Sequence, residues 1–307
     1  MALNPALKQL IDAKLAHTRA PQWEMPIEEV REAFRNLWTP AITGPPVSIR
    51  RVEDITIPGA DAAIPARVYR DDDSKRAPVI LYLHGGGYVK GGIEASDAFC
   101  RNLAHVTRHT VLAIDYRLAP EHRFPAALDD TIAAAAWTAA HAVDLGANPG
   151  SLVVCGESAG GNLAAVACLQ LRADQRVAIR HQVLLQPVVD FTLSFPSVAM
   201  PATECLVPRD DLAWYYGTYR GDACDAKDPR VSPIYAQDLS GLPPALIISA
   251  EYDTLRDEAA AYAERLKKAG VATRYRCAEG MVHGFLQMRG LVAEAQTATE
   301  EIARALS

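Results

Sequence analysis

The sequence lacks the features that define several large classes of protein. No stretch approaches the roughly 18 apolar residues of a transmembrane helix, and the most apolar one, TIAAAAWTAAHAV (131–143), predicts a buried helix. Basic residues are in deficit, because 31 Lys and Arg stand against 37 Asp and Glu, which gives a net charge of -6. General nucleic-acid binding normally requires a basic face. The composition therefore argues against stable membrane insertion and against a nucleic-acid partner.

Signals for secretion and for metal binding are also missing. The N-terminal segment 1–20 interleaves charges with apolar positions, so it contains no apolar core of about 7–15 residues such as a signal peptide has. The six cysteines form no CxxC pair and no metal-finger spacing. Cys155 and Cys168 lie in apolar segments, which is typical of reduced cysteines packed in a core. We therefore expect a cytoplasmic protein with no metal site.

What the sequence does contain is a regular change of hydrophobic period. Half of its 307 residues are hydrophobic, enough for a sizeable core. Two helical stripes come first and are closed off by Pro40 and the turn at 44–46. The next two strands, separated by PGAD, are predicted to be antiparallel. Short continuous apolar runs follow, as strands buried on both faces require: VILYL (79–83), TVLAI (110–114), SLVVC (151–155), QVLLQPVV (182–189) and ALIISA (245–250).

Helices are predicted between these strands. They cover 126–143, 159–172 and 256–269, and the last one ends at Gly270, a residue type common just after a helix. TRYRC (273–277) is predicted as a final edge strand, which brings the strands to eight. This alternation predicts an α/β fold, with a mostly parallel eight-stranded sheet covered by helices on both faces.

One long segment interrupts the alternation. Residues 191–230 are rich in proline and contain an aromatic cluster between 214 and 219. An insertion of this length usually packs over the carboxyl ends of the strands, where ligands bind in such sheets. We expect the insertion and the N-terminal helices (1–45) to form a helical cap on a catalytic core made of 46–190 and 231–307. The alternative is that both segments provide ordinary packing.

The sharpest chemical signal is the pentapeptide GESAG (156–160), which stands between a predicted strand and a predicted helix. A serine on a strained strand-to-helix turn projects its hydroxyl outward, and glycines flank it because a Cβ there would meet neighbouring backbone. The free N–H groups at the start of the helix favour negative charge. Ser158 is therefore the candidate nucleophile.

A nucleophilic serine needs a base, and the base needs an orienting carboxylate. Among the eight histidines, His283 stands out because it lies in a loop, GMVHGF (280–285), after the last predicted strand. An imidazole in that position can shuttle protons. Asp253 follows the strand ALIISA and is the candidate carboxylate, with Glu251 and Asp257 as rivals. The order serine, aspartate, histidine is the chain order of an α/β-hydrolase.

A glycine run, His84-Gly85-Gly86-Gly87, follows the strand VILYL. Its bare backbone N–H groups can approach a substrate oxygen and donate to the oxyanion that forms when serine attacks a carbonyl, and Ala159 N–H adds a further donor. A glycine-rich turn with no catalytic part is the alternative. A phosphate-binding loop is disfavoured, because the lysine and Ser/Thr of that motif are missing.

Longer blocks identify a family. HGGGYVKGG, DYRLAPEHRFPAALDD (115–130), GESAGGNLA, SPIYAQDLSGLPPALIISAEYDTLRDE and GMVHGF resemble the hormone-sensitive lipase-like family of bacterial α/β-hydrolase esterases, from about residue 50 onward. The resemblance implies an acyl-pocket cap, a structural turn at DYRLAPE that braces the site, and six site residues. These are the triad Ser158, Asp253 and His283 and the oxyanion donors Gly86, Gly87 and Ala159. Two departures, Glu157 for the commoner aspartate or threonine and Thr254 for proline or valine, leave the triad intact.

The expected activity is hydrolysis of short- to medium-chain acyl esters through an acyl-enzyme, without a metal or an organic cofactor. Five aromatic residues are candidate pocket walls, with plain core packing as the alternative: Tyr88, Trp38, Trp214, Tyr215 and Phe285. The expected partner is a small-molecule ester, and the family resemblance implies that the edge strand TRYRC can pair with its copy in a homodimer. An amide or formamide hydrolase with the same triad, or a non-catalytic ligand-binding protein on this fold, are the alternatives.

Overall fold

The computed structural model describes residues 1–18, 20–71 and 77–307. Within these residues one sheet of eight strands is formed, in the order β1-β2-β4-β3-β5-β6-β7-β8. The strands are β1 (Arg51–Pro58), β2 (Ala63–Arg70), β3 (Val79–Leu83), β4 (Thr110–Ile114), β5 (Leu152–Glu157), β6 (Ile179–Leu185), β7 (Ala245–Tyr252) and β8 (Thr273–Val282). The pairs β1/β2 and β2/β4 are antiparallel and the other neighbours are parallel. The predicted α/β fold with a mostly parallel eight-stranded sheet is confirmed.

The described residues contain nine α-helices, three before β1 and the others between or after later strands. They are α1 (Pro5–His17), α2 (Ile27–Leu37), α3 (Pro40–Thr43), α4 (Ile93–Thr107), α5 (Ala126–Ala140), α6 (Ala159–Leu171), α7 (Arg209–Arg220), α8 (Arg256–Lys268) and α9 (Glu294–Leu306). Short 3₁₀ turns lie at Gln22–Glu24, Pro196–Ala199, Pro233–Tyr235 and Phe285–Gln287. None of the helices in this part of the chain is long and apolar enough to cross a membrane.

The sheet separates two hydrophobic cores. Successive residues of β3 show this, because Leu81 packs in the core beneath α5, α6 and α8, whereas Ile80 packs in the core that includes residues of α1, α4 and α9. Both side chains are 0% exposed. A strand covered on both faces needs apolar residues at every position, which explains the continuous runs in the sequence.

Several element boundaries differ from the prediction. The run 182–189 does not remain a strand, since β6 ends at Leu185 and Gln186 then adopts a positive φ of 47° before Pro187, which has no N–H to pair. The helix predicted over 126–143 ends at Ala140. Helices α4 and α9 were not predicted, although Phe99 and Leu103 of α4 have helical spacing and are buried. Polar residues among the apolar positions of α4 obscure its stripe.

Candidate active site

Ser158 lies on the turn between β5 and α6. Its φ of 57° and ψ of -118° are strained for a residue with a side chain, and its N–H donates to the carbonyl of Leu185 at 2.8 Å. The neighbouring backbone leaves room only for glycine at the positions two residues before and two residues after the serine. A Cβ at Gly156 would lie 2.0 Å from the Gly160 carbonyl oxygen, and one at Gly160 would lie 2.0 Å from that of Leu83. The turn therefore holds a half-buried hydroxyl at the carboxyl edge of the sheet.

His283 and Asp253 meet at the carboxyl ends of β8 and β7. His283 Nδ1 lies 2.8 Å from Asp253 Oδ2, and because a carboxylate only accepts, the ring N–H at Nδ1 is the donor. The other carboxylate oxygen accepts from the N–H of Leu255 at 3.0 Å. Asp253 is 0% exposed and the His283 side chain 10%. The imidazole is thus held by its Nδ1 side, which leaves Nε2 for other partners.

The two rival carboxylates have other contacts. Glu251 accepts from the N–H of Gly280 at 2.7 Å and forms an ion pair with the N-terminal ammonium at 2.8 Å. Asp257 lies in α8 and accepts from the N–H of Ser197 at 2.9 Å. The structure therefore brings Asp253, and neither rival, to the imidazole of His283.

The electrostatic surroundings favour the protonated imidazole. Burial lowers the pKa of His283, but the charge and hydrogen bond of Asp253, together with the charge of Glu157, outweigh it and raise that pKa above its ordinary value. Burial raises the pKa of Glu157, against a hydrogen bond from the Gln287 amide and the charge of His283. An imidazolium formed on His283 during a reaction would therefore be stabilised by the neighbouring carboxylates.

The glycine run follows β3 and passes beside the serine. A Cβ at Gly85 would lie 3.4 Å from the Cβ of Ser158. Gly86 and Gly87 have φ of 118° and 63°, values that L side chains rarely adopt. Ala159 is the first residue of α6, so its N–H is among those that a helix leaves without an internal partner. The glycine loop therefore passes beside Ser158 at Gly85, and the Ala159 amide directly follows the serine in the chain.

The segment DYRLAPE (115–121) forms hydrogen bonds to the backbone of this glycine loop. The Tyr116 hydroxyl donates to the His84 carbonyl at 2.7 Å, and the two rings stack with centroids 4.2 Å apart. The Ala119 N–H donates to the carbonyl of Tyr88 at 2.9 Å. Burial lowers the pKa of His84. These contacts fix the path of the loop through backbone groups.

The five aromatic candidates lie in different surroundings. Tyr215 packs directly on the glycine loop, because a Cβ at Gly87 would lie 2.4 Å from its ring. Trp214, the preceding residue on α7, is half-buried, with its ring 5.2 Å from that of Tyr215. Trp38 is half-buried beside Gly284. Tyr88 and Phe285 are 0% exposed, the former stacked on Tyr219 at 3.9 Å. Tyr215 thus lies against the glycine loop and Trp38 beside Gly284, whereas Tyr88 and Phe285 are enclosed in the cores.

No role was predicted from the sequence for Lys90, which lies beside the glycine loop. Lys90 is buried, and its ammonium donates to the Tyr215 hydroxyl at 2.7 Å and to the side-chain oxygen of Gln22. It also lies 5.1 Å from the ring centroid of Phe34. Burial lowers the pKa of Lys90 to about 7. No local pattern signals such a lysine, because its partners come from distant segments.

Comparisons with known proteins bear on the family and the activity. Residues 80–287 match a family model described as alpha/beta hydrolase fold. The chain is 36% identical over 315 residues to an ethyl acetate hydrolase of Pseudomonas putida, covering 100% of this chain and 99% of that protein. It is 41% identical over 272 residues to the carboxylic ester hydrolase LipN of Mycobacterium tuberculosis, covering 87% of this chain and 72% of that protein. A hyperthermophilic esterase from the archaeon Pyrobaculum calidifontis has a TM-score of 0.93 and 41% identity, covering 100% of this chain and 98% of that one.

The chain therefore belongs to the hormone-sensitive lipase-like family of α/β-hydrolases. Within that family it is a carboxylic ester hydrolase, in keeping with the full-length relatives. The predictions of family and of ester hydrolysis are confirmed.

Proposed function

We propose that Ser158 is the nucleophile, His283 the general base and Asp253 the carboxylate that orients the base. The observation that carries this is the 2.8 Å hydrogen bond between His283 and Asp253, at the same sheet edge as a serine on a strained turn. Since Nδ1 donates to Asp253, Nε2 is the nitrogen able to accept the serine proton.

The reaction proceeds in two halves. His283 takes the proton of Ser158 while the serine oxygen attacks the ester carbonyl, and the imidazolium then protonates the leaving alcohol, which leaves an acyl-enzyme. Water repeats the cycle with the same base, and the acid is released as Ser158 regains its proton. Asp253 and Glu157 both favour the imidazolium that exists during each half. This chemistry requires only groups of the protein and water.

The oxyanion of each tetrahedral intermediate is held by backbone N–H groups of Gly86, Gly87 and Ala159. Their support is the glycine path beside Ser158 and the free amide at the start of α6. Each such donor typically contributes about 2.7–4 kcal/mol to transition-state stabilisation. The removal of one donor should therefore affect kcat far more than KM.

The nucleophile is tested by the Ser158→Ala variant. We expect about a 10⁶-fold loss of kcat and no covalent labelling by a fluorophosphonate. Ser151→Ala is a matched control, because this buried serine precedes the same strand and donates only to the Asn148 carbonyl at 2.7 Å. Substantial esterase activity in the Ser158→Ala variant would place the nucleophile elsewhere.

The preferred substrates are proposed to be esters of short- to medium-chain acids. Residues 1–45 and 191–230 would form a cap, which is supported by contacts between the two segments. Lys14 Nζ donates to the Leu206 carbonyl at 2.7 Å, and the Tyr215 hydroxyl donates to Gln22 Oε1 at 3.0 Å. Since Tyr215 also packs on Gly87, a long acyl chain would meet aromatic side chains close to the scissile bond. Trp38 and Trp214 are the other proposed walls, whereas Tyr88 and Phe285 are 0% exposed and take the alternative role of core packing.

Acyl preference is measured with a homologous series of esters that differ only in chain length. The proposal expects kcat/KM to be highest for short or medium chains and to fall for long ones. A maximum at long chains would contradict the enclosed pocket.

Self-association and location complete the proposal. Strand β8 is the last of the described sheet and pairs with β7. Its Gly280 carbonyl already accepts from the Asn4 N–H at 3.0 Å, so the part proposed to pair with a second copy of the chain is TRYRC (273–277). Sedimentation equilibrium should then show a dimer, and a monomer over the whole concentration range would contradict it. The cytoplasmic location is supported by six cysteines that are all unpaired.

A further inference from the structure

We propose that Gln186 is a positioning residue of the active site, which holds the loop that carries His283 in the orientation that proton transfer requires. The inference rests on the proposed roles of Ser158 and His283. It adds a residue that no motif marks, since a single glutamine within an apolar run has no pattern around it.

The backbone of Gln186 joins the strands that carry the other two triad members. It follows β6, which lies between β5 and β7 in the sheet. Its N–H donates to the Ile248 carbonyl of β7 at 2.6 Å, and the carbonyl of the preceding Leu185 accepts from Ser158 N–H at 2.8 Å. Its φ of 47° is rare for a residue with a side chain. Strained backbone of this kind persists only where the surroundings impose it, and it concentrates at functional sites.

The side chain of Gln186 reaches the peptide groups on both sides of His283. Its Nε2 donates to the Val282 carbonyl at 2.9 Å, and its Oε1 accepts from the Gly284 N–H at 2.8 Å. Gln186 is 0% exposed. A carboxamide is the neutral side chain that offers a donor and an acceptor side by side. The imidazole is consequently fixed at three points, by Asp253 and by one clamp on each flanking peptide group.

The loss of this clamp should act on catalysis through geometry. Without the carboxamide, the Val282 carbonyl and the Gly284 N–H would both be buried without a partner, which is unfavourable enough to shift the loop. A displacement of about 1 Å in a catalytic group can cost about 100-fold in rate. The ester itself does not touch Gln186, so its binding should change little.

A second glutamine, Gln182 within β6 itself, provides a matched control. Gln182 is also 0% exposed, and its Nε2 donates to the Pro243 carbonyl at 2.9 Å, in the segment that leads into β7. It therefore clamps a loop at the opposite end of the sheet from His283. Replacement of either glutamine removes a buried carboxamide, but only Gln186 touches the loop of His283.

The test compares Gln186→Met with Gln182→Met by steady-state ester hydrolysis, normalised to the folded fraction from thermal unfolding. We expect Gln186→Met to lose about 10- to 100-fold in kcat with KM changed by less than about threefold, and Gln182→Met to keep its kcat. Wild-type kcat in Gln186→Met, or equal losses in both variants, would overturn the inference. If Gln186→Met does not fold, Gln186→Asn retains a carboxamide and tolerates the positive φ, but its side chain is one methylene shorter and so withdraws the amide from both peptide groups. The same loss is expected there, and full kcat would overturn the inference.

Labelling by a fluorophosphonate separates this inference from the proposed function. Wild-type protein should label at Ser158, and Gln186→Met should label more slowly by the same factor as its kcat falls. Equal labelling rates would overturn the role of Gln186 and leave the triad standing. Absence of labelling in the wild-type protein would overturn the proposed function, and the role of Gln186 with it.

Discussion

Gly87→Ala should abolish most ester hydrolysis in a protein that still folds. The added methyl group would lie 2.4 Å from the ring of Tyr215, at a backbone φ of 63°. The residue must therefore move, and its N–H moves with it. Displacement of one oxyanion donor typically costs about 2.7–4 kcal/mol, a loss of about 10²–10³ in kcat. The backbone strain of alanine at positive φ costs about 1–2 kcal/mol, which is small beside a total stability of about 5–15 kcal/mol.

The Tyr215→Ala substitution turns this prediction into a double-mutant cycle. It removes the ring that the new methyl group meets, so Gly87→Ala should cost less in the Tyr215→Ala background than in the wild type, by about 1 kcal/mol or more. The assay is kcat/KM on a short-chain chromogenic ester, with thermal unfolding of all four proteins. Wild-type kcat in Gly87→Ala would refute an oxyanion role for this loop. Strict additivity of the two substitutions would refute the steric account.

Three further expectations concern individual ionisable groups. Asp253→Asn should lower kcat by about 10⁴-fold, and Asp257→Asn should lower it by less than about threefold. Steady-state kinetics of both variants measure these losses, and equal losses would reject Asp253 as the orienting carboxylate. Burial lowers the pKa of His283, but Asp253 raises it by more, so that pKa lies above its usual value of about 6.5. Because the base must be neutral, kcat/KM should fall as the pH decreases through this raised pKa. A pH profile that stays flat down to about pH 5 would contradict the assignment. Lys90 has a pKa of about 7 because it is buried, whereas an unfolded lysine has about 10.4. The unfolded chain then binds more protons between these values, so the free energy of unfolding rises with pH there, and Lys90→Met should reduce that slope by up to about 1.4 kcal/mol per pH unit. Denaturant titrations measure it beside the exposed control Lys268→Met, and equal slopes in all three proteins would refute it.

The sheet is predictable from sequence where hydrophobicity is continuous. VILYL and TVLAI coincide with β3 and β4 because every position of these strands is buried, one face after the other. The same criterion fails at the end of β6. QVLLQPVV is apolar beyond Leu185, yet its second half is buried outside the sheet, after a turn at Gln186. Hydrophobicity reports burial there and says nothing of strand pairing.

The candidate site likewise contains residues that the sequence predicts and residues that it does not. Ser158 and the glycine run can be recognised from local sequence motifs, since the turns that they form exclude larger residues. No local motif predicts Gln186 or Lys90, because their contacts depend on which strands become neighbours and on which helices cover the glycine loop. Such proximity is a property of the folded chain, and a single sequence holds no trace of it.

The crowding of backbone around Ser158 limits which positions of this enzyme can be changed. Gly160 abuts the carbonyl of Leu83, and Gly87 abuts an aromatic ring, so neither position offers volume for a new contact with substrate. Under the proposed function, variation in the acyl or alcohol groups accepted would come from the proposed wall side chains, such as Trp38 and Tyr215. A mutant library aimed at new esters is best directed at Trp38, which follows α2, and at α7, with the glycine loop left as it is.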